Sequence, residues 1–434
     1  MIGKERKLLS RILNSVVIAT ILVTIVAVPI VPTNVSGQGE NLVFVRSSDT
    51  GSDVLSVDIS DGSPDPSEVY AVVGSAHNLS VFDGDGNLQW YNNDRNMADY
   101  GSYGTSHGVA ISGNAEYVVA GDTDDSVYVY DITGTEKWRN DMRPSSGDCY
   151  YVDVSNPLAR HGDYDAFVVS CSGNRFYVFN ASSNALLWHE QIANGTVINV
   201  RISEDGNWVA ASSNARRIEF WNNTDPNNHY MVWSYDTTDP YVNIDIGRTG
   251  LGLVAGEDDP SNGDTSNVYA FHAGADQAWG TFDDAVPAWI REEPRDIYAV
   301  AVSDSEILPT GPPPPPPFGM ISGQTWNDNE SEESYWTSSA KIRSWPTGVA
   351  ASADATYDNT AAYNFRLFGC WDGNVTLVAQ DSDNIIDYYT TGGTVNAVAI
   401  SFSYISEKIY DTRFDYFVAG SEDDSVYFFT YAYP

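Results

Sequence analysis

Positive charge is scarce in this chain. Its 22 Lys and Arg stand against 59 Asp and Glu, a formal net charge of -37, and after Lys7 the lysines are Lys137, Lys341 and Lys408. A surface of that sign repels nucleic-acid phosphates and anionic headgroups, so nucleic acid is excluded as a partner. Cysteine is rarer still. Cys149, Cys171 and Cys370 form neither CxxC nor CxxCH, and the six histidines are scattered, so zinc and c-type haem have no ligand set. No GxSxG elbow is present; Ser106, His107 and His161 with several Asp leave a hydrolase only as an alternative. Helix-type apolar periodicity is missing too. With 13% aromatics and 35 glycines, the chain reads as all-β with many turns.

The exception to the shortage of positive charge is the beginning. Lys4, Arg6, Lys7 and Arg11 precede an apolar stretch from Val16 to Val31, broken by Thr20, Thr24 and Pro29. This is the charged region and apolar core of a signal peptide or N-terminal membrane anchor, spanning 1–37. Two outcomes stay open: cleavage near Val35-Ser36-Gly37, or a retained helix, since counting from Ile12 reaches the roughly 20 residues a span needs. In both, the chain from about residue 38 lies outside the cell, and it meets the membrane only through this segment. Sequons at Asn34, Asn78, Asn180, Asn194, Asn222, Asn329 and Asn374 are compatible with that location.

Self-similarity organises the rest. VVAGDTDDSVYVY (Val118 to Tyr130) returns near the end as FVAGSEDDSVYFF (Phe417 to Phe429), with looser copies at Ala71 to Trp90, Phe167 to Trp188, Trp208 to Trp221, Leu253 to Phe271 and Leu367 to Gln380. Each is two strand-like runs around a Gly/Asp/Asn/Ser turn. A further run precedes each unit: VLSVDIS, HGVAIS, CYYVDVS, VINVRIS, YVNIDIG, IYAVAVS, TGVAAS and VNAVAIS. A fourth run often ends in tryptophan. Trp90, Trp138, Trp188, Trp233 and Trp279 recur about every 45–50 residues. Four strands at that period predict a single β-propeller over 42–434, built of four-stranded antiparallel blades. The count is eight blades, or seven if the poorly patterned unit from Asp296 to Trp345 is an insertion. The chain stops after the third strand of its last blade, and LVFVRS (Leu42 to Ser47) is free to close that blade.

These residues resemble the WD40-like and PQQ-like (tryptophan-docking) β-propellers. VYVYDITGTEKW matches the docking repeat with Asp131, Thr133, Gly134 and Trp138, and VFDGDGNLQW matches with Asp83, Gly86 and Trp90; ISEDGNWVAAS (Ile202 to Ser212) is similar to the WD40 inner-strand turn. The resemblance implies that Trp90, Trp138, Trp188, Trp233 and Trp279 dock onto neighbouring blades. Quinone-dependent relatives typically carry an adjacent Cys-Cys pair, which this chain lacks. It is therefore expected to bind no cofactor and to act as a non-catalytic interaction or assembly scaffold, exported or surface-tethered, for another protein or a surface glycan. A quinone-type dehydrogenase or a hydrolase at the central channel is the alternative.

Three groups of residues are candidate sites. Asp122, Asp124 and Asp125 crowd one turn, as do Asp258, Asp259 and Asp264, and Glu422, Asp423 and Asp424; they offer weak calcium ligation against a reading as turn chemistry. Aligned, the centres of the inner strands read Asp58, Ala110, Asp153, Arg201, Asp245, Ala301, Ala350 and Ala399. Asp58, Asp153, Arg201 and Asp245 thus form either a channel-lining polar patch or an ion-pair network between blades. Cys149 and Cys171 fall on adjacent strands as a candidate disulfide. A proline-rich insertion over 303–317 carries PTGPPPPPP, a stiff polyproline segment.

Overall fold

The computed structural model describes residues 42–61, 65–93, 108–123, 125–142, 149, 151–156, 164–248, 250, 252–257, 266–273, 287, 289–293, 297–302, 321–325, 333–335, 346–351, 365–379, 385–401 and 416–431. The segment 1–37 expected to be a signal peptide or anchor, the proline run, Asp124, Asp258, Asp259, Asp264, Trp279, Ser106, His107 and His161 lie outside them.

Apolar alternation and turn residues in each repeat become antiparallel sheets. Among the described residues there are seven four-stranded sheets and one three-stranded sheet. Each is numbered here by its first strand: Val54–Ile59, Val109–Ile111, Val152–Val154, Val197–Ile202, Val242–Ile246, Ile297–Val302, Pro346–Ala351 and Val395–Ile400 for sheets 1 to 8. Among the described residues helix is confined to two 3-10 turns, Pro66–Glu68 and Pro226–Asn228, and no helix there is long and apolar enough to cross a membrane. The poorly patterned unit is sheet 6, whose strands Ile297–Val302, Ile321–Thr325 and Glu333–Tyr335 pair antiparallel.

Sheet 8 is made from both ends of the domain. Leu42–Asp49 pairs antiparallel with Ser425–Tyr431, from Leu42 opposite Tyr431 to Asp49 opposite Ser425. Its order places Leu42–Asp49 outermost and Val395–Ile400 innermost. Phe44 stacks on Tyr389 of sheet 7 at 5.0 Å, and the Leu42 amide donates to Asp387 at 2.9 Å. First strands of consecutive sheets touch from sheet 1 through sheet 8, and the first strand of sheet 8 touches that of sheet 1, so the order of contacts returns to its start.

The core lies between successive sheets. Val119, Val127 and Trp138 of sheet 2 pack with Val152 and Phe179 of sheet 3, and Phe176 and Trp188 of sheet 3 pack with Val200 and Trp221 of sheet 4. The tryptophans fasten these layers. Trp90 Nε1 donates to the Ile132 carbonyl at 2.8 Å, Trp138 Nε1 to the Ala181 carbonyl at 2.7 Å, and Trp188 Nε1 to Asn223 at 2.7 Å. Trp233 stacks on Phe271 of sheet 5 at 4.6 Å. Gly134, at φ +85°, lies so close beneath Trp90 that a Cβ would meet the indole at 2.9 Å, so only glycine fits there.

Candidate functional site

The first strands expose backbone N–H groups on the edge facing the centre, and each such group needs an acceptor. Aspartate supplies it in sheets 1, 3 and 5. Asp58 accepts from its own neighbour Ile59 at 2.9 Å and from Ile111 of sheet 2 at 2.8 Å. Asp153 accepts from Val154 at 2.9 Å and from Ile202 of sheet 4 at 3.0 Å. Asp245 accepts from Val302 of sheet 6 at 2.8 Å. In each case the donor follows the equivalent position of the next strand, namely Ala110, Arg201 or Ala301. One carboxylate therefore staples sheets 1 and 2, a second sheets 3 and 4, a third sheets 5 and 6.

Arg201 lies among these carboxylates, its Nε 3.5 Å from Asp245 Oδ1. Burial pushes Asp58 up to about 7; the Ile111 hydrogen bond opposes this and the charge of Asp153 adds to it. Burial raises Asp245 to about 6 and also raises Asp153, with Arg201 opposing in both. The four residues singled out in the sequence thus share one electrostatic environment. Each Asp oxygen named above is already occupied by a backbone donor or a guanidinium.

Three residues further along each first strand stands a second layer: Asp61, Gly113, Asn156, Glu204 and Arg248, from sheets 1 to 5. Arg248 Nη2 lies 3.1 Å from Asp61 and 2.5 Å from Glu204. Asn156 donates to Glu204 at 2.9 Å and accepts from the Gly113 amide. Backbone bonds run in the same circuit, from Asp61 N to Gly113 O at 2.8 Å, Asn156 N to Glu204 O at 2.8 Å and Glu204 N to Arg248 O at 3.0 Å. A Cβ at Gly113 would sit 2.3 Å from the Asp61 carboxylate. Burial raises both Asp61 and Glu204, and the Arg248 guanidinium pulls them back. This layer is legible in the same alignment of first strands, three columns past the central one, where polar residues and glycine replace the apolar run.

Glu257, at the end of the second strand of sheet 5, is fully buried. It accepts from Thr238 N at 2.6 Å, Asp239 N at 3.1 Å, Asn267 N at 3.0 Å and the Tyr269 hydroxyl at 2.6 Å. Backbone and hydroxyl donors thus solvate a buried carboxylate. Its sequence neighbours Asp258 and Asp259 mask it as one member of an acidic turn.

Among the described residues no group of three His, Cys, Asp or Glu is placed to hold a metal ion. Asp122 is buried and takes a 3.3 Å hydrogen bond from Thr123, while Asp125 turns the chain at φ 63°; the third residue of that calcium candidate, Asp124, lies outside the described residues. The expected disulfide is corrected: Cys149 and Cys171 are both buried free thiols. Both sulfurs lie 4.0 Å from the Tyr151 carbonyl. Cys149 packs with the layer shared with sheet 2 and Cys171 with the layer shared with sheet 4, so the two side chains serve opposite faces of sheet 3.

No known family profile matches the chain, and no curated protein matches it. Among solved structures it is similar to Sqt1 of Saccharomyces cerevisiae, a WD40 β-propeller protein, with a TM-score of 0.62 at 8% identity, covering 90% of this chain and 99% of that one. At that identity the likeness is one of fold. The antiparallel sheets and this likeness together define a β-propeller fold.

Proposed function

We propose that the chain is an exported or surface-tethered, eight-bladed propeller acting as a non-catalytic scaffold for another protein. The observation that carries this reading is the use made of the central polar residues. Asp58, Asp153 and Asp245 each take an N–H from the next sheet, and Arg248 joins Asp61 to Glu204. The groups best placed for chemistry at the channel are engaged in holding sheets together, which leaves the loops and turns of the two faces for recognition. Eight blades rather than seven are supported by sheet 6 touching both neighbours through its first strand, and ring closure by the return of contacts from sheet 8 to sheet 1. Export is supported by the charged and apolar segment over 1–37.

The face formed by the turns between second and third strands offers the features a partner would meet. Exposed Trp371 and the Glu422–Asp424 turn stand there, and the net charge of -37 selects a partner with basic groups. Cross-linking on intact cells that make the protein tests this. One protein cross-linked repeatedly to loops of a single face is the expected result. Purified chain carrying a bound quinone, or turning over a substrate at the channel, overturns the proposal.

A further inference from the structure

Five of the sequons fall on described residues, and the structure separates them by what the asparagine already does. Asn180 Oδ1 accepts from Ser182 N at 2.9 Å and Ser182 Oγ at 2.8 Å. Asn222 Oδ1 accepts from Thr224 N at 3.0 Å and Thr224 Oγ1 at 2.6 Å. Both asparagines are 7% exposed. Asp131 does the same at the same place in sheet 2, accepting from Thr133 N at 2.9 Å and Thr133 Oγ1 at 2.6 Å. The Asn-x-Ser/Thr pattern at 180 and 222 is therefore turn chemistry that closes the third strand. Asn78 donates its amide to the Thr50 carbonyl at 2.8 Å. Asn374 donates to Asp372 at 2.6 Å and accepts from Thr390 at 2.7 Å.

Asn194 differs from all four. It is exposed, stands at φ 64° between the fourth strand of sheet 3 and the first strand of sheet 4, and its side chain is hydrogen-bonded to no other described residue. The loop around it is pinned from both sides. Ile192 N donates to Asn174 O at 3.0 Å and Val197 N to Gly173 O at 2.8 Å, while Thr196 N donates to Asn214 Oδ1 at 2.7 Å. Gly195 passes so near sheet 4 that a Cβ would meet the Ala215 Cβ at 2.5 Å. The sequon is thus held with its backbone against the domain and its amide in solvent.

We infer that Asn194 is the described sequon that carries an N-linked glycan in the folded protein. This rests on the export proposed above. The donor is a lipid-linked oligosaccharide. The bond from Nδ2 to the anomeric carbon forms as the bond from that carbon to the lipid phosphate oxygen breaks, the phosphate leaves with the electron pair, and the amide proton passes to a base. A glycan attached at Asn180 or Asn222 before folding would have to be buried with its asparagine, whereas one at Asn194 projects from a finished surface. It also covers the ends of sheets 3 and 4 beside Gly173 and Asn214, so the partner docks elsewhere on that face.

The test is peptide mass spectrometry on chain recovered from the cells that make it, together with fractionation that locates it. The tryptic peptide Phe176 to Arg201 contains both Asn180 and Asn194, and its fragment ions assign the sugar. The expected result is a glycan on Asn194 and none on Asn180 or Asn222, lost in N194Q and in T196A but kept in N180Q. Chain outside the cell with Asn194 bare, or with sugar on Asn180 or Asn222, overturns the inference alone. Chain found inside and unmodified overturns the export reading and the inference with it.

Discussion

Asp58 shows how much one side chain in this fold is asked to do. It ties two sheets through backbone N–H groups, and the burial this requires lifts its carboxyl to about 7. The consequence for stability follows from its sign. An unfolded aspartate releases its proton near pH ~4, so between about pH 4 and 7 the folded chain holds protons that the unfolded chain has lost, and stability falls as pH rises through that window. Asp245, raised to about 6, and Glu204 add in the same direction. Melting followed from about pH 5 to pH 8 is expected to shift downward by several degrees. Asp58→Asn, uncharged throughout, should make that pH dependence shallower, and an equally steep slope in the variant would contradict the assignment. The central column of charged residues was readable from the sequence because the strands align. Their hydrogen bonds to the next sheet were not, because the donors are backbone groups that no side-chain pattern records. Cys149 and Cys171 misled for a related reason: adjacency of strands is written in the repeat, but the side of the sheet each thiol takes depends on where the first strand begins.

Strands and turns were legible wherever the repeat kept its alternation. The third-strand ends at Asp83, Asp131, Asn180 and Asn222 each close their turn with a side-chain oxygen, and the short Gly/Asp/Asn/Ser clusters announce them. Sheet 7 departs from the rule, since Asp387 stands opposite Leu377 where Trp138 stands opposite Val129 in sheet 2. There the carboxylate takes the Leu42 amide, where in sheet 2 an indole packs on the next sheet. The strand Leu42–Asp49 is the element on which both chain ends depend. Deleting 42–47 removes most of its ladder with Ser425–Tyr431 and the Phe44–Tyr389 stack. The melting temperature is expected to fall by roughly 10 °C or more; a melt unchanged by the deletion would show that sheet 8 does not need its outer strand.

At the scale of the whole molecule the surplus of acid dominates. With -37 charges spread over 434 residues, self-repulsion opposes the compact state, and salt screens it over a Debye length of about 10 Å at 0.1 M. Raising sodium chloride from about 0.02 M to about 1 M should therefore raise the melting temperature, read by calorimetry or circular dichroism. A fall would mean that attractive pairs such as Arg248 with Asp61 and Glu204 outweigh the repulsion. These pairs join sheets 1, 4 and 5 across the centre, and this is the level at which sequence alone was least informative: the repeat gives the order of the sheets, but which polar residues meet across the middle follows from the ring they form.

In the proposed reading, the polar residues at the heart of the propeller hold its sheets together while recognition belongs to the faces. The most direct measurement compares what intact cells deliver to wild-type chain and to the triple variant D58N/D153N/D245N, with melting recorded for both. The same cross-linked partner at the same loops and a lowered melting temperature in the variant are expected. A variant that melts like wild type but loses its partner would contradict it, because the central carboxylates would then be acting on a ligand rather than on the fold.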